Sequence, residues 1–198
     1  MHGRRNPFVA HEGLPWLAAA LAAAILLTRF YEPMLAIVPG ALFVFLFLVF
    51  RDPIRTVPSV ALGVFSPVDG KVVEVGHLDH GEAGVAVLRV LIKVNSFGTY
   101  TARAPVEGAI NDLGKKALWI QTDEGEDVVL RFSGYRFGLA PKSFARFGER
   151  LGQGQRCANL RLTRFAEVQF PDDGKILVEA GQKVVAGQDV IGSVHKPN

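Results

Sequence analysis

Hydrophobic and polar positions divide this chain into two unlike parts. Apolar residues dominate from Pro15 to Thr28 and again from Met34 to Phe50, with Arg29-Phe30-Tyr31-Glu32-Pro33 between them. The pattern predicts a membrane-inserted helical hairpin, with Pro33 in the first turn of the second helix and Pro39-Gly40 as a kink. The runs are 14 and 17 residues long. About 20 residues cross a typical hydrocarbon core, so the hairpin calls for bilayer thinning, flanking residues or a re-entrant path. A secretory signal is the rival reading of the first run, because Arg4 and Arg5 precede it. The second run follows at once, however, and no clear small-x-small cleavage site separates the two.

From Val72 onward the pattern changes to short apolar runs punctuated by glycine. Val72-Val73-Glu74-Val75, Val85 to Val94, Ala117 to Thr122, Val128 to Phe132 and Ile176-Leu177-Val178 read as strands. Asp123-Glu124-Gly125-Glu126-Asp127 reads as a hairpin tip whose charges are solvated. Ser66 to Gly76 and Glu179 to Gln188 look like two halves of a pseudo-repeat, of the kind that builds lipoyl- and biotinyl-type barrel-sandwich folds. The expected class is mainly β: a compact antiparallel barrel or sandwich resembling a barrel-sandwich hybrid, preceded by the α-helical membrane hairpin. A carrier would need a modifiable lysine at a hairpin tip. Lys71 lacks the flanking methionines of a biotinyl site and reads as an ordinary surface lysine.

Composition sharpens this division. Of 198 residues 49% are hydrophobic, and much of that content precedes residue 51. The remainder is the size of one domain. The expected organisation is a basic N-terminal segment over 1–13, the hairpin over 14–50, a linker over 51–63 and the β domain over 64–198. Cys157 is the single cysteine, which excludes an intramolecular disulfide and leaves no thiolate cluster for zinc. His77 and His80 read as polar loop residues, and no metal is expected. Arg4 and Arg5 flank one outer end of the hairpin and Arg51 and Arg55 the other. The positive-inside rule then puts both ends, and the β domain, on the cytoplasmic side of the cell inner membrane.

Between residues 131 and 164 the chain carries Arg131, Arg136, Lys142, Arg146, Arg150, Arg156, Arg161 and Arg164 against one acid, Glu149. Phe132, Tyr135, Phe137, Phe144 and Phe147 are interleaved. Such a segment suits an anionic membrane, where each basic residue near the surface contributes roughly 1 kcal/mol. The alternative is aromatics in the core and arginines on a solvated face. No recognised nucleic-acid motif accompanies the charge, and no nucleic-acid partner is expected.

Taken in order, the apolar hairpin, Phe50-Arg51-Asp52-Pro53-Ile54-Arg55, Ser66-Pro67-Val68-Asp69-Gly70-Lys71, Ala102-Arg103-Ala104-Pro105, the stretch from Gly154 to Pro171 and the Gly181 to Gln188 tail resemble phosphatidylserine decarboxylases of the short bacterial and archaeal type. The likeness covers nearly the whole chain. It implies phospholipid metabolism at a membrane, and a proenzyme that cuts itself at a Gly-Ser bond. In that family the serine becomes an N-terminal pyruvoyl group, with an Asp/His/Ser arrangement activating it. The hydroxyl attacks the preceding carbonyl, the ester undergoes β-elimination, and the dehydroalanine hydrolyses to pyruvoyl. Pyruvoyl then serves as the electron sink for decarboxylation.

The resemblance places the family's aspartate on Asp69. It places the histidine on Tyr100, and a phenol, with an unperturbed pKa of about 10, is no substitute for imidazole as a base. It places the Gly-Ser pair on Thr163-Arg164, and arginine offers no hydroxyl. Thr163 would yield a ketobutyryl group at a stiffer position. Ser133, Ser143 and Ser193 are the nearest serines. Ser193 follows Gly192, but a cut there would release only six residues. The expectation is therefore an inactive homologue with no cofactor, retaining lipid or partner binding. An active pyruvoyl-dependent enzyme making phosphatidylethanolamine and a non-enzymatic membrane adaptor are the alternatives. Expected partners are membrane phospholipids and a second copy or an active paralogue. Arg103, Arg131, Arg136 and Arg146 are the candidate lipid-binding cations. Arg164 is a candidate partner for Asp69 or for a substrate phosphate or carboxylate.

Overall fold

The computed structural model describes residues 8–10, 13–82, 84–96, 98–113, 117–135, 140–160 and 162–195. The described chain forms two units, residues 1–54 and 55–198.

In the first unit α1 spans Leu14–Phe30, and a 3-10 turn over Pro33–Ala36 leads into α2, Ile37–Phe50. Pro15 in the first turn of α1 and Pro33 at the start of the 3-10 turn, just before α2 and not within it, each lack an N–H that would have no helical partner there. Pro33–Phe50 is long and apolar enough to cross a membrane by length and composition, while Leu14–Phe30 is shorter. The hairpin's ends are tied together. Ala10 N–H donates to Phe50 O and Asp52 N–H to Phe8 O, each at 2.8 Å, and the rings of Phe8 and Phe47 lie 6.0 Å apart. Arg4 and Arg5 lie outside the described residues.

The second unit is β. Its first seven strands are β1 (Gly63–Phe65), β2 (Gly70–Leu78), β3 (Val87–Val94), β4 (Thr101–Arg103), β5 (Gly108–Leu113), β6 (Ala117–Gln121) and β7 (Asp127–Ser133). Then come β8 (Lys142–Ser143), β9 (Arg150–Leu151), β10 (Arg156–Asn159), β11 (Phe165–Pro171), β12 (Lys175–Ile176), β13 (Lys183–Val184) and β14 (Val190–Ser193). They pair antiparallel in three sheets, ordered β13-β2-β3-β11-β7-β6-β5-β9, β4-β10-β8 and β1-β14-β12. The fold is mainly β with no closed barrel among the described residues.

Alternation along the long strands builds the core. On β3 and β11, Val90, Ile92, Ala166, Val168 and Phe170 point inward, where they join Val72, Leu118, Ile120, Leu130 and Ile191 in one cluster. The expected strands fall on β2, β3, β6, β7 and β12, except that Val85 and Ala86 precede β3, Thr122 follows β6, and Leu177 and Val178 run past the end of β12. The tip at 123–127 joins β6 to β7, with Gly125 at φ 88°. The two pseudo-repeat segments meet each other: Lys183 pairs with Lys71 and Val184 with Gly70. The segment expected as a linker contributes to this unit from Arg55 onward. Gly154, at φ 69°, leaves room for Val57, whose Cγ2 would lie 2.5 Å from an added Cβ.

Candidate functional site

Asp69 sits in the turn between β1 and β2, where backbone bonds to distant segments hold it. Arg103 N–H donates to Pro67 O, Gly187 N–H to Ser66 O and Asn95 N–H to Asp69 O. Two glycines make the close approaches possible. A Cβ at Gly70 would lie 2.3 Å from Lys93 O, and one at Gly98 would lie 2.9 Å from the Asp69 Cβ.

The carboxylate accepts five hydrogen bonds. Arg55 grips it with both guanidinium nitrogens, Nη1 to Oδ1 at 2.5 Å and Nη2 to Oδ2 at 2.6 Å. Thr99 donates its N–H and its hydroxyl to Oδ2, both at 3.1 Å, and Ala186 N–H donates to Oδ1 at 2.9 Å. Arg55 Nη1 also donates to Ala186 O at 2.8 Å. The pair is largely removed from water, with side-chain exposures of 9% for Arg55 and 14% for Asp69. Burial alone would raise the Asp69 pKa. The hydrogen bond from Arg55, that from Ala186 N–H, the Arg55 charge and the Thr99 N–H together outweigh burial and hold the acid below its ordinary value. A bidentate arginine–carboxylate fork of this kind fixes geometry as well as charge.

The other positions implied by the family resemblance lie close by in the backbone. Tyr100 follows Thr99 directly, and its carbonyl accepts from Leu160 N–H at 2.8 Å. Its phenol donates to Ser96 O at 2.9 Å, within its own loop. Gly70 pairs with Val94, and Val94 N–H donates to Arg164 O at 2.8 Å. Arg164 is thus two strand spacings from Gly70, roughly 10 Å. Its side chain is exposed, and the guanidinium partner of Asp69 is Arg55 instead. Thr163 is buried, and its hydroxyl has no hydrogen-bond partner among the described residues. Arg55 belongs to the Arg-Asp-Pro-Ile-Arg run, whose local pattern gives no sign of a partner 14 residues further on.

The candidate lipid-binding cations scatter. Arg103 is fully buried, with Nη1 donating to Gly154 O at 3.1 Å. It supports the core and presents no charge to a surface. Arg131 pairs with Glu82 at 2.5 Å. Arg146 is exposed beside Phe147, which is 73% exposed. Arg136, with Phe137 and Arg161, lies outside the described residues. Among the described residues the basic segment is therefore not one face. Arg156 is buried, 5.3 Å from the centre of the Phe144 ring, and Arg150 bridges Asp123 and Glu107. A cavity of about 250 Å³ lies away from Asp69, lined by Ser59 to Gly63, Val106, Glu107, Gln153 and the tip residues Thr122 to Glu124.

No family model matches the chain. It is, however, 33% identical over 215 aligned residues to the phosphatidylserine decarboxylase proenzyme of Nitrosomonas europaea, covering 96% of this chain and 97% of that protein. The proenzyme of Symbiobacterium thermophilum is 32% identical over 213 residues, covering 97% and 98%. Among solved structures, the glucose permease IIA from Mycoplasma capricolum matches with a TM-score of 0.50 at 21% identity, covering 67% of this chain and 95% of that one. That likeness concerns the fold alone. Sequence likeness along almost the entire length of these relatives shows that this chain belongs to the phosphatidylserine decarboxylase family.

Proposed function

We propose that this protein is a membrane-anchored member of the family that neither cleaves itself nor decarboxylates, and that retains phospholipid binding at the cytoplasmic face of the inner membrane. The observation that carries this reading is the state of the Asp69 site. Self-cleavage needs a hydroxyl and a base able to take its proton. At the serine position stands Arg164, at the histidine position stands Tyr100 with its phenol bonded to Ser96 O, and Asp69 is held by Arg55. Thr163, the neighbouring hydroxyl, has no hydrogen-bond partner among the described residues to act as its base. These residues do not fit the formation of a pyruvoyl group. Membrane anchoring is supported by the apolar helix Pro33–Phe50 and by the basic residues outside the hairpin.

A second reading, an active decarboxylase matured by unorthodox residues, is favoured by the proenzyme relatives being similar along nearly the whole chain. Incubating the purified full-length chain with phosphatidylserine in mixed micelles separates the two. The first reading expects no phosphatidylethanolamine above the level of a protein-free control. Sustained turnover would establish the second.

A further inference from the structure

One row of the large sheet carries an arrangement of charge that folding alone does not explain. Lys183 on β13 lies directly opposite Lys71 on β2, and Lys71 lies directly opposite Lys93 on β3. Directly opposed residues of antiparallel strands project to the same side, with Cβ atoms about 5 Å apart. Three ammonium groups therefore stand abreast on adjacent strands, all exposed. The row continues through Phe165 on β11, opposite Lys93, to Ser133 on β7. It lies one residue along from the Gly70–Val94–Arg164 row of the candidate site.

Among the described residues none of the three lysines makes an ion pair. The acids of the same face are engaged elsewhere: Glu74 pairs with Arg89 at 2.8 Å, and Glu167 accepts from Gln169 Nε2 at 2.6 Å and lies 3.9 Å from Arg89. Asp189 accepts from Val185 N–H at 2.8 Å. The Lys71 stem lies along Gly181, 4.0 Å from where a Cβ would stand. Like charges placed directly opposite destabilise a sheet, so the row costs the free protein stability that an anionic ligand would return.

We propose that the row Lys183–Lys71–Lys93 is the surface through which the β unit contacts an anionic phospholipid bilayer. The charge favours phosphate-bearing headgroups. The face is an open sheet surface, and it carries apolar side chains among the cations. Val73 and Val185, each two residues from a row lysine, are 46% and 38% exposed, and Phe165 is half-buried. Aromatic and aliphatic groups among lysines match an interface with headgroups better than they match a polyanion in water. The proposal rests on the membrane reading above and gives it a specific face, distinct from the arginines of residues 131–164.

The test is amine labelling of the full-length chain in nanodiscs, read by peptide mass spectrometry. Discs of phosphatidylcholine alone are compared with discs containing phosphatidylglycerol. Lys71, Lys93 and Lys183 are expected to label about fivefold more slowly in the anionic discs, and the protection should fade at high salt. Lys175, on the separate β12 strand, serves as the reference and is expected to change little. Equal labelling of the three lysines in both discs would overturn the proposal. A chain that fails to enter discs would instead remove the anchoring reading. The same labelling with anionic vesicles added to the free chain then decides the lysine face, protection supporting it and equal labelling overturning it. Protection by a single-stranded oligonucleotide but not by anionic vesicles would also overturn it. The triple variant K71Q/K93Q/K183Q is expected to melt about 1–4 °C higher than the parent, because mutual repulsion is relieved. A marked fall in Tm would mean the lysines serve the fold and would count against a ligand role.

Discussion

The two ends of the candidate site differ in how much the protein invests in them. At one end Asp69 accepts five hydrogen bonds, from Arg55, Thr99 and Ala186, drawing together segments more than a hundred residues apart in sequence. At the other end Thr163 keeps a buried hydroxyl with no hydrogen-bond partner among the described residues, beside an exposed Arg164. A residue retained only as a relic of chemistry would not need such a cradle. Asp69 holds the fold together, and its persistence therefore says little about catalysis.

Breaking the stronger end should have the largest effect. Asp69→Asn leaves the Arg55 guanidinium mostly buried without its counter-charge, a defect of about 3–5 kcal/mol, which chemical denaturation would read as an early midpoint. Arg55→Lys keeps the charge but loses the fork, so it should fall between that variant and the parent.

Acid should undo the same pair more gently. The folded-state pKa of Asp69 lies below its ordinary value of 3.8. Its contribution is therefore complete above the unfolded-state pKa and is lost as the pH falls through the folded-state value. Thermal melting followed from pH 7 to pH 2 should show a decline below about pH 4 that is shallower in Asp69→Asn. Parallel curves for the two proteins would mean the pair does not govern acid stability.

At the weaker end Thr163→Val removes a buried hydroxyl that has no partner among the described residues, while nearly preserving its shape. It should leave stability unchanged or raise it by about 1 kcal/mol, opposite in sign to the change at Asp69. The smallest expected effect is chemical. Arg164→Ser restores the family's hydroxyl but no base, so the chain should stay uncut on a denaturing gel. Spontaneous cleavage of that variant would show that the remaining machinery is intact.

Much of the fold could be read from the sequence because local pattern and final environment agree. The alternation in Val87 to Val94 maps onto the inner and outer faces of β3, whereas β11, which pairs with both β3 and β7, was not among the expected strands. The positions of Asp69, Tyr100 and Arg164 followed from resemblance, and strand pairing brings their backbones near one another, while the side chains of Tyr100 and Arg164 bond or point elsewhere. Arg55 and Arg103 were less readable. Both are arginines in turn-rich contexts, where charge predicts exposure, yet tertiary packing supplies a carboxylate for one and a buried carbonyl for the other. The lysine row was invisible for a related reason. Lys71, Lys93 and Lys183 are unremarkable one at a time, and only the registers of β13, β2 and β3 set them side by side.

The most direct test of the central claim is the intact mass of the purified full-length chain. A single species near 21.5 kDa is predicted, with no fragment pair. Two fragments, the smaller beginning at Thr163 or Arg164 with a mass deficit for a keto-acyl terminus, would contradict the account and make this protein a self-maturing decarboxylase.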